Sequence, residues 1–145
     1  MKDLNWSSLS FGYMKTDYNV RCYYRNGKWG EIEICSDEYI NMHMAATCLH
    51  YGQEAFEGLK AYRCPDGKVR VFRMDENAKR LQSTCRGILM PELPTELFEE
   101  MVRKVVTLNQ EWIPNYESGA TLYIRPLPVG TGAQVGVHTA NEYLC

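Results

Sequence analysis

Apolar and polar residues alternate along Tyr18–Tyr24 and again along Trp29–Cys35. A period of two is typical of β-strands that have one buried face. Between the two segments lies Asn26-Gly27, a pair that tolerates the positive φ angles of a tight hairpin turn. The pattern therefore predicts a β-hairpin.

A second hairpin is predicted shortly afterwards. Leu59–Arg63 and Val69–Arg73 are rich in residues that favour strands, and they are separated by Pro65-Asp66-Gly67. In this turn the proline sets φ and the glycine accepts a left-handed conformation. The first half of the chain is therefore expected to be mainly sheet.

Two helices follow the hairpins. Asp75 is expected to be the N-cap of a helix over Asp75–Arg86, and Gly87 is expected to end it. A second helix is expected to begin at Thr95 and to end before Pro114. The residues expected on its buried face are Leu97, Met101, Val105, Leu108 and Trp112.

A last strand is predicted over Ala120–Leu127. Leu122 and Ile124 would face one side of the sheet, and Tyr123 and Arg125 would face the other. The proline at the end of this segment implies a free edge or a bend. Together the elements predict one domain over residues 1–145, of class α+β, with a largely antiparallel sheet and two main helices.

Composition narrows the possible functions. The net charge of −2 and the pI of about 5.9 argue against a nucleic-acid partner. The sequence contains no apolar run near the about 18 residues that a membrane span needs, and its start lacks the order of a signal peptide. We therefore expect a cytoplasmic protein without a membrane partner.

The cysteines and histidines do not have the spacing of metal sites or of catalytic triads. We expect no metal, and we expect the cysteines to be reduced thiols, although their even number would also allow disulfides. The six cysteines are Cys22, Cys35, Cys48, Cys64, Cys85 and Cys145.

Three places could bind a small molecule. Tyr123 and Arg125 share one side of their strand, so they could recognise a carboxylate, or Arg125 could simply face water. His50-Tyr51-Gly52 and Phe56-Glu57-Gly58 combine rings with glycines, and they could wall a pocket or only pack a loop. Arg80, near the start of the first helix, could bind a phosphate or be solvated.

Three motifs occur in an order that resembles the branched-chain amino-acid aminotransferases. This family has the D-amino-acid-aminotransferase-like fold and uses pyridoxal 5'-phosphate (PLP). The resemblance extends from Phe11-Gly12 to Gly136-Val137, which is nearly the whole chain. The motifs are His50-Tyr51-Gly52-Gln53-Glu54-Ala55-Phe56-Glu57-Gly58-Leu59-Lys60-Ala61-Tyr62, Asn77-Ala78-Lys79-Arg80-Leu81 and Leu122-Tyr123-Ile124-Arg125-Pro126.

The resemblance implies that residues 1–145 form the N-terminal substrate-pocket domain of a homodimeric enzyme. Arg80 would hold the PLP phosphate, and Arg125, buried in the pocket, would receive the side-chain carboxylate of glutamate. Tyr51 and Val137 would reach the site of the neighbouring subunit. The residues implied to bind substrate are Phe11, Tyr51, Phe56, Tyr123, Arg125 and Val137.

The resemblance also implies what the chain lacks. In this family the lysine linked to PLP belongs to the C-terminal domain, and none of the lysines here matches it, so we expect no catalytic residue and no activity from this chain alone. The parent enzyme would transfer amino groups between leucine, isoleucine or valine and 2-oxoglutarate, giving branched 2-oxo acids and glutamate. The alternatives are a D-amino-acid aminotransferase or an aminodeoxychorismate lyase of the same fold, or a standalone small-molecule-binding or interaction domain.

Overall fold

The computed structural model describes the backbone of residues 1–145 and every side chain except that of Ser7. Its strands are β1 (Asn19–Arg25), β2 (Lys28–Cys35), β3 (Leu59–Arg63), β4 (Val69–Val71), β5 (Leu122–Ile124), β6 (Val129–Gly130) and β7 (Tyr143–Leu144). Its α-helices are α1 (Thr47–Tyr51), α2 (Met74–Gly87) and α3 (Thr95–Leu108). Short 3-10 turns lie at Trp6–Ser8, Gln110–Trp112 and Tyr116–Ser118.

The strands form two antiparallel sheets. One has the order β2-β1-β7-β6, and the other has the order β4-β3-β5. The predicted α+β class with two main helices is confirmed, because α2 and α3 are the only long helices in the described structure. The predicted antiparallel pairing is confirmed as well, although the regular strands fall into two groups that are joined only by less regular pairing.

Both predicted hairpins are confirmed. Asn26 and Gly27 have φ angles of 51° and 78°, the positive values that a tight turn requires. The second hairpin is shorter than expected, because its returning strand ends at Val71. Arg73 has a φ of 44° and turns the chain into α2.

The last strand is also shorter than predicted. Of the expected strand Ala120–Leu127, only Leu122–Ile124 forms regular antiparallel pairs with β3. In this pairing Leu59 lies opposite Ile124. Prolines at 126 and 128 explain the difference, because a proline has no N–H to donate.

The pairing nevertheless continues beyond the strands in the same register. The N–H of Glu57 donates to the carbonyl of Pro126 and the N–H of Ala55 to that of Pro128, both at 3.0 Å. The N–H of Gly130 then donates to Gln53 O at 2.9 Å. Residues 53–61 and 122–130 thus form one continuous antiparallel ladder, named here the central ladder.

The central ladder has one buried and one exposed face. Glu57, Leu59 and Ala61 alternate onto the inner face, where each is at most 6% exposed. Phe56 and Lys60 lie on the outer face and are exposed. The inner face packs against α2 and α3 and, with them, encloses the core, which includes Leu59, Ala61, Ala78, Leu81, Phe98, Val102 and Ile124.

Helix α2 covers the predicted range and ends at Gly87 as expected, but its start differs from the prediction. Asp75 is not the N-cap: the capping position is Arg73, and Asp75 lies in the first turn, paired with Arg73 at 3.1 Å. The left-handed residue after the helix is Leu89, with a φ of 58°, rather than Gly87. Local ion pairing therefore replaces the side-chain cap that the sequence indicated.

Helix α3 ends at Leu108, earlier than the proline at 114 implied. Its buried residues are Phe98, Met101, Val102 and Val106. The buried face of the helix is therefore rotated by about one residue from the predicted face, so that Phe98 is buried in place of Leu97. The predicted residues Leu97, Val105, Leu108 and Trp112 are only partly buried.

The residue that follows α3 is held in place by its side chain. The buried carboxamide of Asn109 donates to Val105 O at 2.8 Å and to Tyr18 O at 2.9 Å, and it accepts from Tyr18 N at 3.1 Å. These bonds tie the end of the helix to the start of β1. Among the described residues, no helix is long and apolar enough to cross a membrane.

Candidate functional site

Four of the predicted site residues meet on the outer face of the central ladder. The ring of Phe11 packs edge-on against Tyr123, with the centroids 5.2 Å apart. The guanidinium of Arg125 lies 4.6 Å from the ring centre of Phe56 and donates to Tyr123 Oη at 3.1 Å. Phe11, Phe56, Tyr123 and Arg125 are named here the outer-face cluster.

The register of the ladder brings these side chains together. Tyr123 and Arg125 project from one side of β5, and Gly58 lies opposite Arg125 on that side. A Cβ at residue 58 would lie 2.6 Å from Tyr123 Oη, so glycine leaves room for the phenol where any larger residue would force it to move. Gly58 therefore shapes the cluster although it carries no side chain.

The outer-face cluster is an open surface. Phe11 is 83% exposed and Phe56 is 59% exposed, and Arg125 is exposed as well. In this chain Arg125 lies on an open surface rather than buried among the rings, because residues 1–145 supply one wall of the cluster. A cavity of about 350 Å³ lies between α3, β1 and β5, and its lining includes Tyr123 and Arg125 but not Phe11, Tyr51, Phe56 or Val137.

Arg80 lies on the other side of the ladder. Its Nε and Nη2 atoms donate to the two carboxylate oxygens of Glu57, both at 2.6 Å. Asn77 Nδ2 donates to the same carboxylate at 2.9 Å. Because Arg80 lies beyond the first turn of α2, which starts at Met74, the helix start contributes little to an anion site there.

The Glu57 carboxyl is charged in spite of its burial. Burial raises the pKa of this group, but the hydrogen bonds from Arg80 and Asn77 and the charge of Arg80 outweigh burial and hold the pKa below its ordinary value. The pair in turn raises the pKa of Arg80, chiefly through the hydrogen bonds to Glu57. The inner face thus carries one complete ion pair.

Tyr51 and Val137 lie elsewhere in the fold. Tyr51 ends α1, and its hydroxyl donates to the carbonyl of Val135. Thr47, at the start of the same helix, donates through its N–H and its hydroxyl to Gly132 O, each at 3.1 Å. Helix α1 thus holds the loop that carries Val137, a residue that is 86% exposed.

Sequence reasoning missed Glu57 as a functional residue. A usable signal was present, because Glu57 occupies the same alternation as Leu59 and Ala61, whose side chains are buried. A carboxylate on a buried face needs a charged partner, and that requirement points to an arginine on the helix that covers the face.

Neither thiols nor metal ligands form a second site in the described structure. All six cysteines are free thiols. Among the described residues, no group of three histidine, cysteine, aspartate or glutamate side chains could hold a metal ion.

Comparisons with known proteins identify relatives of the chain. No protein-family model matches it. The branched-chain-amino-acid aminotransferase of Haemophilus influenzae is 49% identical over 144 residues, which are 99% of this chain and 42% of that protein. The chain is a relative of the branched-chain amino-acid aminotransferases. The Helicobacter pylori enzyme is 45% identical with the same coverage, so the chain spans less than half the length of these relatives.

A solved structure shows that the fold is shared as well. The branched-chain amino acid aminotransferase from Escherichia coli superposes with a TM-score of 0.60 at 27% identity. The match covers 90% of this chain and 40% of that chain. The α+β fold of this chain is therefore the fold of one part of that branched-chain amino acid aminotransferase.

Replacing Gly58 with alanine should displace Tyr123 and destabilise the chain by about 1–3 kcal/mol, because the new methyl group would overlap the phenol. Urea unfolding measures the loss, and adding Tyr123→Phe should recover part of it. Gly87→Ala is the matched control, since nothing lies within 4 Å of a Cβ there. Equal effects of the two alanines would contradict the close contact.

Replacing Arg80 with alanine should reverse the pH dependence that Glu57 contributes. In the native chain the pKa of Glu57 is lower in the folded state than in the unfolded state. Glu57 therefore stabilises the fold fully at a pH above its unfolded-state pKa, and this stabilisation is lost as the pH falls through its folded-state pKa. Without Arg80, burial should raise the folded pKa, so the unfolding free energy should fall as the pH rises from about 4 to about 7. Urea unfolding across this range measures the slope.

Arg86→Ala is the matched control for this experiment. Arg86 lies on the same helix and pairs with Glu92 at 2.6 Å, but both side chains are largely exposed. Its loss should leave the slope unchanged. An unchanged slope in the Arg80 variant would show that Glu57 is not held by that arginine.

Proposed function

We propose that the parent protein of this chain is a PLP-dependent branched-chain amino-acid aminotransferase, in which residues 1–145 form the N-terminal substrate-pocket domain. It would transfer amino groups between leucine, isoleucine or valine and 2-oxoglutarate, and the products would be branched 2-oxo acids and glutamate. The relatives at 45–49% identity support the family, although the chain spans 42% of their length. The outer-face cluster is the observation that carries the substrate class.

The cluster combines the two properties that such substrates need. The rings of Phe11, Phe56 and Tyr123 offer an apolar wall for a branched side chain. Arg125 adds a cation already oriented by Tyr123 Oη, and its fork suits the side-chain carboxylate of glutamate. One surface can therefore accept both kinds of substrate in turn.

The remaining wall would come from outside this chain. The cluster is open, and Tyr51 and Val137 are exposed as well. In a homodimer these two residues would complete the pocket of the neighbouring subunit, as the family resemblance implies. This assembly also accounts for the large exposed rings on the outer face.

The residues present suit the phosphate end of PLP. Arg80 uses Nε and Nη2 for Glu57, which leaves the edge formed by Nη1 and Nη2 free for an anion. When bound, PLP supplies the electron sink that transamination requires. This chain would anchor the cofactor and shape the pocket, but it offers no lysine for the covalent link, so by itself it should not catalyse the reaction.

A cytoplasmic location forms part of the proposal. It rests on the spacing of the six cysteines, which is scattered and does not match a disulfide framework.

A chimera tests the proposed function directly. In it, this chain replaces the matched 144 residues of the Haemophilus influenzae relative. The chimera should transfer the amino group of leucine to 2-oxoglutarate. Arg125→Gln should lower kcat/KM for 2-oxoglutarate by about tenfold or more and change kcat/KM for leucine much less, because only the former presents a second carboxylate to Arg125.

The other functions give different results in the same assays. A folded chimera that is inactive with leucine and active with D-alanine would indicate a D-amino-acid aminotransferase. Release of pyruvate from aminodeoxychorismate would indicate the lyase. Tight binding of leucine by the 145-residue chain alone, measured by calorimetry, would indicate a standalone binding domain. Each of these results would contradict the proposal.

A further inference from the structure

Glu57 occupies a place where a carboxylate is costly. Its side chain is 4% exposed and lies on the inner face of the central ladder with Leu59 and Ala61, both buried. An ionised group in such surroundings is stable only when its oxygens are fully paired. The function proposed above uses Arg80, but it leaves Glu57 without a role.

The pairing of Glu57 is complete and rigid. Each carboxylate oxygen accepts from Arg80, and Asn77 Nδ2 adds a bond to one of them. The backbone N–H of Glu57 is fixed to Pro126 O at 3.0 Å. The backbone of Glu57 is therefore fixed by the central ladder, and its carboxylate is fixed by two side chains of helix α2.

This pairing determines how Arg80 presents its remaining donors. A guanidinium is planar and has five N–H groups, and Nε–H and one N–H of Nη2 lie along the same edge. Glu57 occupies that edge, so the adjacent edge, formed by Nη1 and Nη2, remains available in a fixed plane. The Arg80 side chain is 69% exposed, which places the free edge within reach of a ligand in solvent.

We propose that Glu57 is a positioning residue that clamps the inner edge of Arg80 and so orients its free edge to bind a phosphate group. This inference rests on the proposed function, in which Arg80 anchors the phosphate of PLP. The advantage of the clamp is entropic, because a long arginine side chain loses much rotamer freedom when it must be ordered by the ligand itself.

The clamp and simple electrostatics predict opposite effects of one substitution. Glu57→Gln keeps the shape of the side chain and removes a negative charge next to the anion site. If Glu57 acts only as a counter-charge, phosphate should bind more tightly after the substitution. If Glu57 orients Arg80, phosphate should bind more weakly even though a repulsive charge has gone.

The experiment is a titration of the 145-residue chain with inorganic phosphate and with pyridoxal 5'-phosphate, followed by NMR at the Arg80 side chain. We expect Glu57→Gln to weaken binding of both ligands by about tenfold, the equivalent of one charge-assisted hydrogen bond. The Arg80 Nε–H signal should be ordered and protected from exchange in the native chain, and it should lose both properties in the variant. Unchanged or tighter binding would overturn the proposal.

Two further variants keep the outcome clear. Asn77→Ala removes a single hydrogen bond to the Glu57 carboxylate and should weaken phosphate binding by a smaller factor. This variant tests the proposal if Glu57→Gln fails to fold. Arg80→Ala should abolish binding at this place. If the native chain and Arg80→Ala bind phosphate equally, the cofactor role of Arg80 fails, whereas an ordered Nε–H signal that depends on Glu57 would still establish the clamp.

Discussion

The arrangement of the candidate site depends on the register between residues 53–61 and 122–130. Regular pairing of β3 with β5 accounts for only part of this ladder. Beyond it, pairing continues through the carbonyls of Pro126 and Pro128, which accept from Glu57 and Ala55. A proline can accept a backbone hydrogen bond but cannot donate one, so a single hydrogen bond holds each of these two residue pairs. These single bonds keep the same register as the regular pairs.

This register gives three consecutive residues three different tasks. Phe56 faces outwards and lies beneath the guanidinium of Arg125. Glu57 faces inwards and holds Arg80, whereas Gly58 faces outwards again and leaves space for the phenol of Tyr123. A slip of one residue would turn every one of these side chains to the wrong face. The three residues from Phe56 to Gly58 thus help to position both arginines of the proposed function, Arg80 on the inner face and Arg125 on the outer face.

Local patterns in the sequence were sufficient to predict most of the elements. Alternation and turn chemistry located both hairpins, and helical spacing located α2 and α3, since these signals depend on near neighbours. The division into two sheets could not be predicted, because it depends on long-range pairing such as that of β7 with β1. The length of β5 was overestimated, since alternation continues through the prolines while reciprocal hydrogen bonding does not.

The site was predictable in part for similar reasons. Tyr123 and Arg125 were placed on one side of a strand by alternation alone, and the resemblance added Phe11 and Phe56, which the structure brings to the same surface. Glu57 was missed because its importance depends on contact with a helix twenty residues away. The exposure of the cluster was not predictable either, because a pattern of residues does not show which wall another part of the protein supplies.

The most direct test of this account is an NMR measurement of contacts between Hα protons across the central ladder. In an antiparallel pair without reciprocal bonds the Cα atoms lie about 4.5 Å apart, and the Hα protons face each other. The register of the central ladder predicts strong Hα–Hα contacts between Gly58 and Arg125 and between Phe56 and Leu127. Contacts displaced by one residue, such as Glu57 with Arg125, would contradict it.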